Sequence, residues 1–374
     1  VTYLTLQDYA DVASNFASSG LGRQVALTSN STTKSANGLN IVVDICEEDF
    51  NRIKMVQTLA VSQATTFLTF SVFASDNFIK DMIIPANIVN QVMDGNGLQA
   101  AGFVSDKSNP SLRKFTMDMD SGELIMTFSE PVDASSINIT KITFQNKEEE
   151  VICNAYGQCS VPGKTASRAY ALTSQSSSVV DVDNTTITVN VGVDDRNKVK
   201  VVDGFYTSLA TTFLAIQDSM IYDIADYSNG TLGQNGVNAI QTSRALASSG
   251  YTVDTTSPLT SIFSLDMDTG IMSITFDEPV RSSTFNATGL TLWSSRFMSS
   301  NASSVALSKE SYTASPNGLT LDVNIAYDDL QLLKLDTSAF NEQTKTFLFT
   351  QPRAVDDMAG NAISMGTSTN AHEA

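Results

Sequence analysis

Hydrophobic and polar positions alternate in short runs along the whole chain, and the runs recur. The clearest is Phe115–Val132, FTMDMDSGELIMTFSEPV, which returns as FSLDMDTGIMSITFDEPV at Phe263–Val280, 148 residues later. Phe, Asp-Met-Asp, Gly, Thr-Phe and Glu-Pro-Val recur in place, which marks one structural unit used twice. In each copy an apolar run stops at Asp-Met-Asp-[Ser/Thr]-Gly, where Asp side chains and a glycine of positive φ suit a turn. Alternation then resumes through Leu124, Met126 and Phe128, or Met272, Ile274 and Phe276. The pattern predicts a β-hairpin, with Pro131 and Pro279 ending the ladder because proline has no N–H to donate.

The repetition extends well beyond the hairpin. INITKITFQ at Ile137–Gln145 corresponds to FNATGLTLW at Phe285–Trp293, and VTYLTLQ at Val1–Gln7 matches the end of that segment, so the chain is expected to begin inside a repeat that lacks its first hairpin. Next come AL[T/S] at Ala26, Ala171 and Ala306, and then alternating strands at Leu39 (LNIVVDI), Thr186 (TITVNVGV) and Leu319 (LTLDVNIAY). Each runs into an acidic segment, Glu47–Lys54, Asp194–Lys200 or Asp328–Lys334, where an Asp cap and apolar residues three apart predict one or two helical turns crossing between sheets. A further strand, TTFL or KTFL, begins at Thr65, Thr211 and Lys345, spaced by 146 and 134 residues. Differences in length therefore fall in the loops, where insertions are tolerated.

The third copy closes with AVDDMAGNAI (Ala354–Ile363), whose Asp-x-x-Gly-Asn is turn chemistry; the first two are looser around Asp81 and Asp223. FVSDKSNP (Phe103–Pro110) and YTVDTTSP (Tyr251–Pro258) precede the two hairpins and read as linkers. The division is thus a partial repeat over 1–106, a complete one over 107–254, and one over 255–374 that stops before its outgoing linker. The fold class is all-β: tandem immunoglobulin-like β-sandwich repeats with one short crossing helix per repeat.

Composition narrows the partners. Forty acidic against twenty-two basic side chains give a net charge of −18, scattered along the chain, which disfavours nucleic acid and anionic membrane surfaces and favours cations. No apolar run reaches the roughly 20 residues of a membrane span. Cys153 and Cys159, in CNAYGQC, suit a local disulfide of an oxidising compartment. Cys46 aligns with Val193 and Tyr327 and reads as a buried hydrophobe of a strand.

TF[S/D]EPV after a turn, VDDMAGN before the last segment and the Asp-x-x-x-Pro linkers together resemble the bacterial-type immunoglobulin-like domains of surface-layer and adhesion proteins. The fuller order, LDMDTG, TFDEPV, DFNRIK, TTFL, DMAGN, resembles tandem immunoglobulin-like repeats of extracellular algal and protist proteins, mastigoneme-like filament proteins among them. The resemblance spans essentially the whole chain. It implies an extracellular structural role, with copies of the same protein as partners in a filament or coat. The competing reading is an adhesin that takes a glycan or a cell-surface partner.

Catalytic chemistry finds little support. Asp120-Ser121-Gly122 and Asp268-Thr269-Gly270 match the Asp-[Thr/Ser]-Gly of aspartic proteases, but Glu123 and Ile271 follow where that pattern wants a small or hydroxyl residue, and the hairpin turns already account for both tripeptides. The one histidine, His372, has no Ser or Cys motif pointing to it. The chain therefore reads as no enzyme and as needing no organic cofactor. Calcium is the candidate ion, with Asp106, Asp118, Asp120 and Glu130 near the first repeat junction and Asp254, Asp266, Asp268 and Glu278 near the second. Sequons for N-glycosylation lie at Asn30, Asn138, Asn184, Asn229, Asn286 and Asn301, and Asn138 and Asn286 share the 148-residue spacing.

Overall fold

The computed structural model describes residues 1–13, 23–71, 78–151, 160, 167–180, 184–224, 235–297, 301–336, 339–366 and 372–374. Cys153, Cys159 and Asn229 lie outside them.

Residues 107–254 begin with the hairpin β5 (Leu112–Asp118) and β6 (Glu123–Phe128) and continue through β7 (Val132–Asp133), β8 (Ile142–Gln145), β9 (Ala169–Ala171), β10 (Ser177–Val180) and β11 (Thr186–Asn190). Helix α2 (Val193–Lys200) crosses to β12 (Phe213–Ile216), β13 (Tyr222–Asp223), β14 (Leu246–Ala247) and β15 (Gly250–Thr252). One sheet runs β10-β11-β6-β5-β15 and the other β14-β12-β8-β9, with β13-β7 as a two-stranded ribbon. Residues 255–374 repeat the plan with β16 (Thr260–Asp266), β17 (Ile271–Val280), β18 (Leu290–Trp293), β19 (Ser304–Ala306), β20 (Tyr312–Thr313), β21 (Gly318–Asn324), helix α3 (Tyr327–Leu335), β22 (Phe347–Thr350) and β23 (His372–Glu373). Their sheets are β16-β17-β21-β20 and β19-β18-β22-β23. Each unit is an immunoglobulin-like sandwich closed over one core. In the first unit Phe115, Met117, Leu124, Met126 and Phe128 of one sheet face Ile142, Phe144, Leu214 and Ile216 of the other. Each of those side chains contributes about 1.5–3 kcal/mol through burial.

The two hairpins match in detail. Met117 pairs with Leu124 and Leu265 with Met272, and each first strand has a register shift near its start, at Leu112/Lys114 and at Thr260/Ile262. The Asp118 and Asp266 carbonyls each accept from the glycine N–H at 2.9 Å. Gly122 and Gly270 take φ of 84° and 72°, a conformation strained for any residue with a Cβ. Pro279 interrupts its ladder without ending it, since Val280 beyond it pairs with Gly318, whereas β6 ends at Phe128 ahead of Pro131 and Val132 joins the separate ribbon by pairing with Asp223.

The described residues of 1–106 hold one sheet, β2-β1-β3-β4, formed by β1 (Leu4–Gln7), β2 (Gln24–Ala26), β3 (Phe67–Phe70) and β4 (Leu98–Gln99). It corresponds strand for strand to β8, β9, β12 and β14. Helix α1 (Glu47–Met55) packs against it, and the core is small: Leu4, Val25, Leu27, Ile53 and Leu59.

Two expectations about the helices need correction. The Asp is not the N-cap, since Cys46, Gly192 and Ala326 hold that position. Asp49, Asp195 and Asp329 lie in the first turn, buried, and their Oδ2 atoms accept from the AL[T/S] loops: from the N–H of Thr28, Thr173 and Ser308 at 2.8, 2.9 and 2.8 Å, and from the hydroxyls of Ser31, Ser176 and Ser311. Those serine oxygens in turn accept the N–H of the three N-cap residues. Cys46 therefore aligns with Gly192 and Ala326, one position from the sequence alignment. It is a half-buried cap whose Sγ accepts from Asp49 N at 3.4 Å, and not a strand hydrophobe.

Candidate functional site at the repeat junctions

The last turn of each helix carries a lysine, which suits the negative end of the helix dipole. Lys54 and Lys200 reach out of their own units into the next. Lys54 Nζ lies 2.6 Å from Asp106 Oδ2 in the linker and in close contact with Glu130 Oε2, the Glu of Glu-Pro-Val. Lys200 Nζ lies 2.5 Å from Asp254 Oδ2 and 2.8 Å from Glu278 Oε2. Both lysine side chains are only 10% exposed, so these are buried ion pairs and not solvated surface ones.

A third carboxylate completes each cluster. Val132 pairs with Asp223 and Val280 with Asp357, and this brings Asp223 to Asp106 and Glu130, and Asp357 to Asp254 and Glu278, with carboxylate oxygens within 4.8 Å of one another. Asp223 and Asp357 are held by one asparagine each. Asn235 donates to Asp223 through its backbone N–H at 2.9 Å and Nδ2 at 2.8 Å, and Asn361 to Asp357 at 2.7 and 2.8 Å. Asp81 and Asn87 make the same pair within residues 1–106, at 2.8 and 2.7 Å. The Asp…Asn element of DMAGN is thus present in all three units, but its two residues stand 6, 12 and 4 positions apart, which hides it from sequence.

Further bonds cross the second junction. Arg281 pairs with Asp203 at 2.9 Å, Asn197 Nδ2 donates to the Asp277 carbonyl at 3.2 Å, and Asn361 Nδ2 to the Asp254 carbonyl at 3.1 Å. At the first junction Arg113 pairs with Glu47 at 2.5 Å. The linker Asp itself turns the chain, Asp106 accepting from Ser108 N and Asp254 from Thr256 N.

The charges are unbalanced, with three carboxylates around one ammonium. Burial presses the ammonium groups toward neutrality, but Asp106 and Glu130 around Lys54, and Asp254 and Glu278 around Lys200, outweigh it and hold both above the ordinary lysine value. Burial, with Glu130 and Asp106 nearby, pushes Asp223 up to about 6; burial, with Asp254 and Asp357 nearby, pushes Glu278 up to about 7. Glu278 is therefore about half protonated near neutrality, and Asp223 takes up its proton as the pH falls through about 6. A carboxyl whose folded pKa is raised contributes stability that is full below its unfolded value and is lost as pH rises through the folded one. The junctions are expected to stiffen at pH 5 and loosen toward pH 8 at constant ionic strength, read as interdomain flexibility by small-angle scattering. A flat profile would show that the protonation of Asp223 and Glu278 does not govern the junctions.

Of the calcium candidates, Asp106 meets Glu130 and Asp254 meets Glu278, while the turn residues are used elsewhere. Asp118 and Asp266 each cap their own hairpin turn, accepting from Asp120 N and Ser121 N, and from Asp268 N and Thr269 N. Asp120 Oδ1 pins the outgoing linker through Thr255 N and Thr256 Oγ1, and Asp268 is exposed. The two Asp-[Ser/Thr]-Gly tripeptides thus occupy the turns of hairpins in different sheets. Asn138 and Asn286 are exposed and start matching 3-10 turns, accepting from Thr140 N and Thr288 N; Asn30 and Asn301 are exposed and Asn184 half-buried.

Sequence reasoning missed Lys54, Lys200, Asp223 and Asp357. The lysines could have been found, since Lys54, Lys200 and Lys334 recur with the same 146- and 134-residue spacings as the TTFL strands.

No family model matches the chain, and neither does any curated protein. Solved structures with some likeness include the FN1-FN3 domains of chicken CNTN1 (10% identity, covering 96% of this chain and 87% of that one, TM-score 0.20). A marsupial T cell receptor (8%, 98% and 90%, 0.16) and Dpr2 Ig1-Ig2 in complex with DIP-Theta Ig1-Ig3 (11%, 70% and 98%, 0.15) are others. At these TM-scores the likeness adds nothing to the topology above. Among the described residues no helix is long and apolar enough to cross a membrane. The chain is all-β, with two immunoglobulin-like sandwiches and a preceding single-sheet unit among the described residues, and buried lysine–carboxylate clusters where successive units meet.

Proposed function

We propose that this chain is part of an extracellular structural protein whose immunoglobulin-like repeats, divided at 106/107 and 254/255, build a glycosylated filament or surface coat of the mastigoneme-like or surface-layer kind. The observation that carries the reading is the junction. The same lysine, linker Asp, Glu-Pro-Val Glu and Asp…Asn pair are built twice, so consecutive units meet through the same buried contacts at both junctions. Domains joined by an ordinary linker move relative to one another by default, and a rod needs that motion removed. Exposed Asn138 and Asn286 suit glycans on the flanks of such a rod, and a local Cys153–Cys159 disulfide fits an oxidising compartment.

Calcium is the rival counter-ion for Asp106, Glu130 and Asp223, and for Asp254, Glu278 and Asp357, where it would have to displace the lysine ammonium. A chelator that loosens the junctions would favour it over lysine. Electron microscopy of native material is expected to show filaments or a lattice with an axial period set by the repeat, and glycopeptide mass spectrometry to find glycans on Asn138 and Asn286. Binding to a glycan array, with no ordered assembly and both asparagines unmodified, would favour the adhesin.

A further inference from the structure

The junction lysines are nucleophiles as well as charges, and an ammonium held against a carboxylate differs from an amide by one water. Three features of each cluster favour that condensation. The first is proximity. Lys54 Nζ lies 2.6 Å from Asp106 Oδ2 and Lys200 Nζ lies 2.5 Å from Asp254 Oδ2, and none of the four side chains is more than 17% exposed. Groups held in reacting geometry behave as if each were present at about 10⁵–10⁸ M, which opposes the pull of bulk water toward the separated ions. The second is the division of roles among the carboxylates. Each lysine donates a hydrogen bond to the glutamate, Lys54 to Glu130 Oε2 and Lys200 to Glu278 Oε2. Asp106 Oδ2 is buried and accepts no hydrogen bond although Nζ is so near, so the nitrogen rests against that carboxyl off the line of a hydrogen bond. The glutamate is thus placed to take a proton from the nitrogen, and the aspartate to be attacked. The third is the other aspartate oxygen. Asp106 Oδ1 accepts from Ser108 N at 3.0 Å and Asp254 Oδ1 from Thr256 N at 3.3 Å, backbone donors aimed where negative charge develops in a tetrahedral intermediate.

We propose that Lys54 and Asp106, and Lys200 and Asp254, condense to isopeptide bonds, with Glu130 and Glu278 as the proton relays. Having passed one proton to the glutamate, Nζ attacks Cγ of the aspartate; a C–N bond forms and one Cγ–O bond breaks. Of the three ammonium protons one stays on the amide nitrogen, and two, handed on by the glutamate, leave with the oxygen as water. The step consumes no oxidant and no activating group. It turns a desolvated ion pair into a neutral amide, which removes the cost of keeping both charges out of water. The inference deepens the filament reading, because tension along the chain would pass from Lys200 through the bond to Asp254 and spare residues 201–253. Its test reads covalent mass, so it can fail or succeed whether or not filaments are found.

The 374-residue chain, produced without glycosylation, is held at neutral pH, reduced, alkylated and weighed intact under denaturing conditions. Its mass should fall short of the sequence mass by two waters, about 36 Da. Trypsin should fail to cut after Lys54 and Lys200, and branched peptides should join Lys54 to Asp106 and Lys200 to Asp254. Lys200→Met and Asp254→Ala should each lose one water only. Glu278→Gln keeps both reactants and nearly the same volume, and its second bond should form at least about 100-fold more slowly. The full sequence mass would overturn the proposal, as would a loss of water without branched peptides, which marks a succinimide. A bond at one junction alone would overturn it for the other. A branch from Lys200 to Glu278 would overturn the aspartate as acceptor, and formation at the parent rate in Glu278→Gln would overturn the relay.

Discussion

Replacing Lys200 by methionine is expected to release the second junction. The substitution keeps most of the side-chain volume and removes the ammonium that Asp254 and Glu278 surround, leaving three carboxylates facing one another without a cation. Breaking a buried pair from one side costs about 3–5 kcal/mol, because the surviving charges stay desolvated. That cost falls on the docking of two units, each with its own core, so the sandwiches should remain folded while their orientation is lost. Proteolysis at Tyr251–Pro258 reports the open population, and a change of this size corresponds to a rise of several hundred-fold or more. Lys200→Met with Glu278→Gln should open less than Lys200→Met alone, because removing the excess charge removes part of the penalty. Lys334→Met is the control: it is exposed and should stay within about 0.5 kcal/mol of the parent. Unchanged cleavage in Lys200→Met would mean that Arg281–Asp203 and the backbone bonds hold the junction, and the lysine does not.

Much of the unit was legible because period-2 alternation carries both strand and face. Met126, Phe128, Ile187 and Val189 lie inward where the pattern puts them, and the Gly122 and Gly270 turns follow from their neighbours. The clusters were less legible because they depend on pairings that sequence does not display. Asp223 joins Glu130 only through its bridge to Val132, 91 positions earlier, and Lys54 reaches Glu130 only because one unit docks on the next. The helix start was misread for a chemical reason: an Asp followed by an apolar stripe looks like a cap, yet here it faces backward and serves a distant loop. Asp118 and Asp266 drew attention as possible ligands, and the turn itself uses them.

That backward-facing aspartate sets the largest expected effect within a single unit. Asp195 is buried and accepts from Thr173 N at 2.9 Å, Ser176 Oγ at 3.2 Å and, through Oδ1, Tyr170 OH at 2.8 Å. Ser176 Oγ meanwhile accepts Gly192 N at 2.9 Å, so one carboxylate ties β9, its following loop and the start of α2 together. Asp195→Ala leaves a backbone N–H and two hydroxyls to find new partners in a space that water reaches poorly. Each unsatisfied buried group costs about 1–3 kcal/mol, and the sum should be about 3–4 kcal/mol of the unit's stability, since some partners relax. Asp195→Asn keeps one acceptor oxygen and should lose about half as much. The tyrosine offers a second reading of the same contact. Tyr170 is pushed up to about 12 by burial and by Asp195, so its phenol should titrate lower in the Ala variant while burial still holds it above the ordinary tyrosine value. Chemical denaturation gives the stability and a pH titration of the Tyr170 ring resonances by NMR gives the contact. A full-strength unit with an unshifted Tyr170 would show that α2 is anchored by its packing and that the carboxylate is incidental.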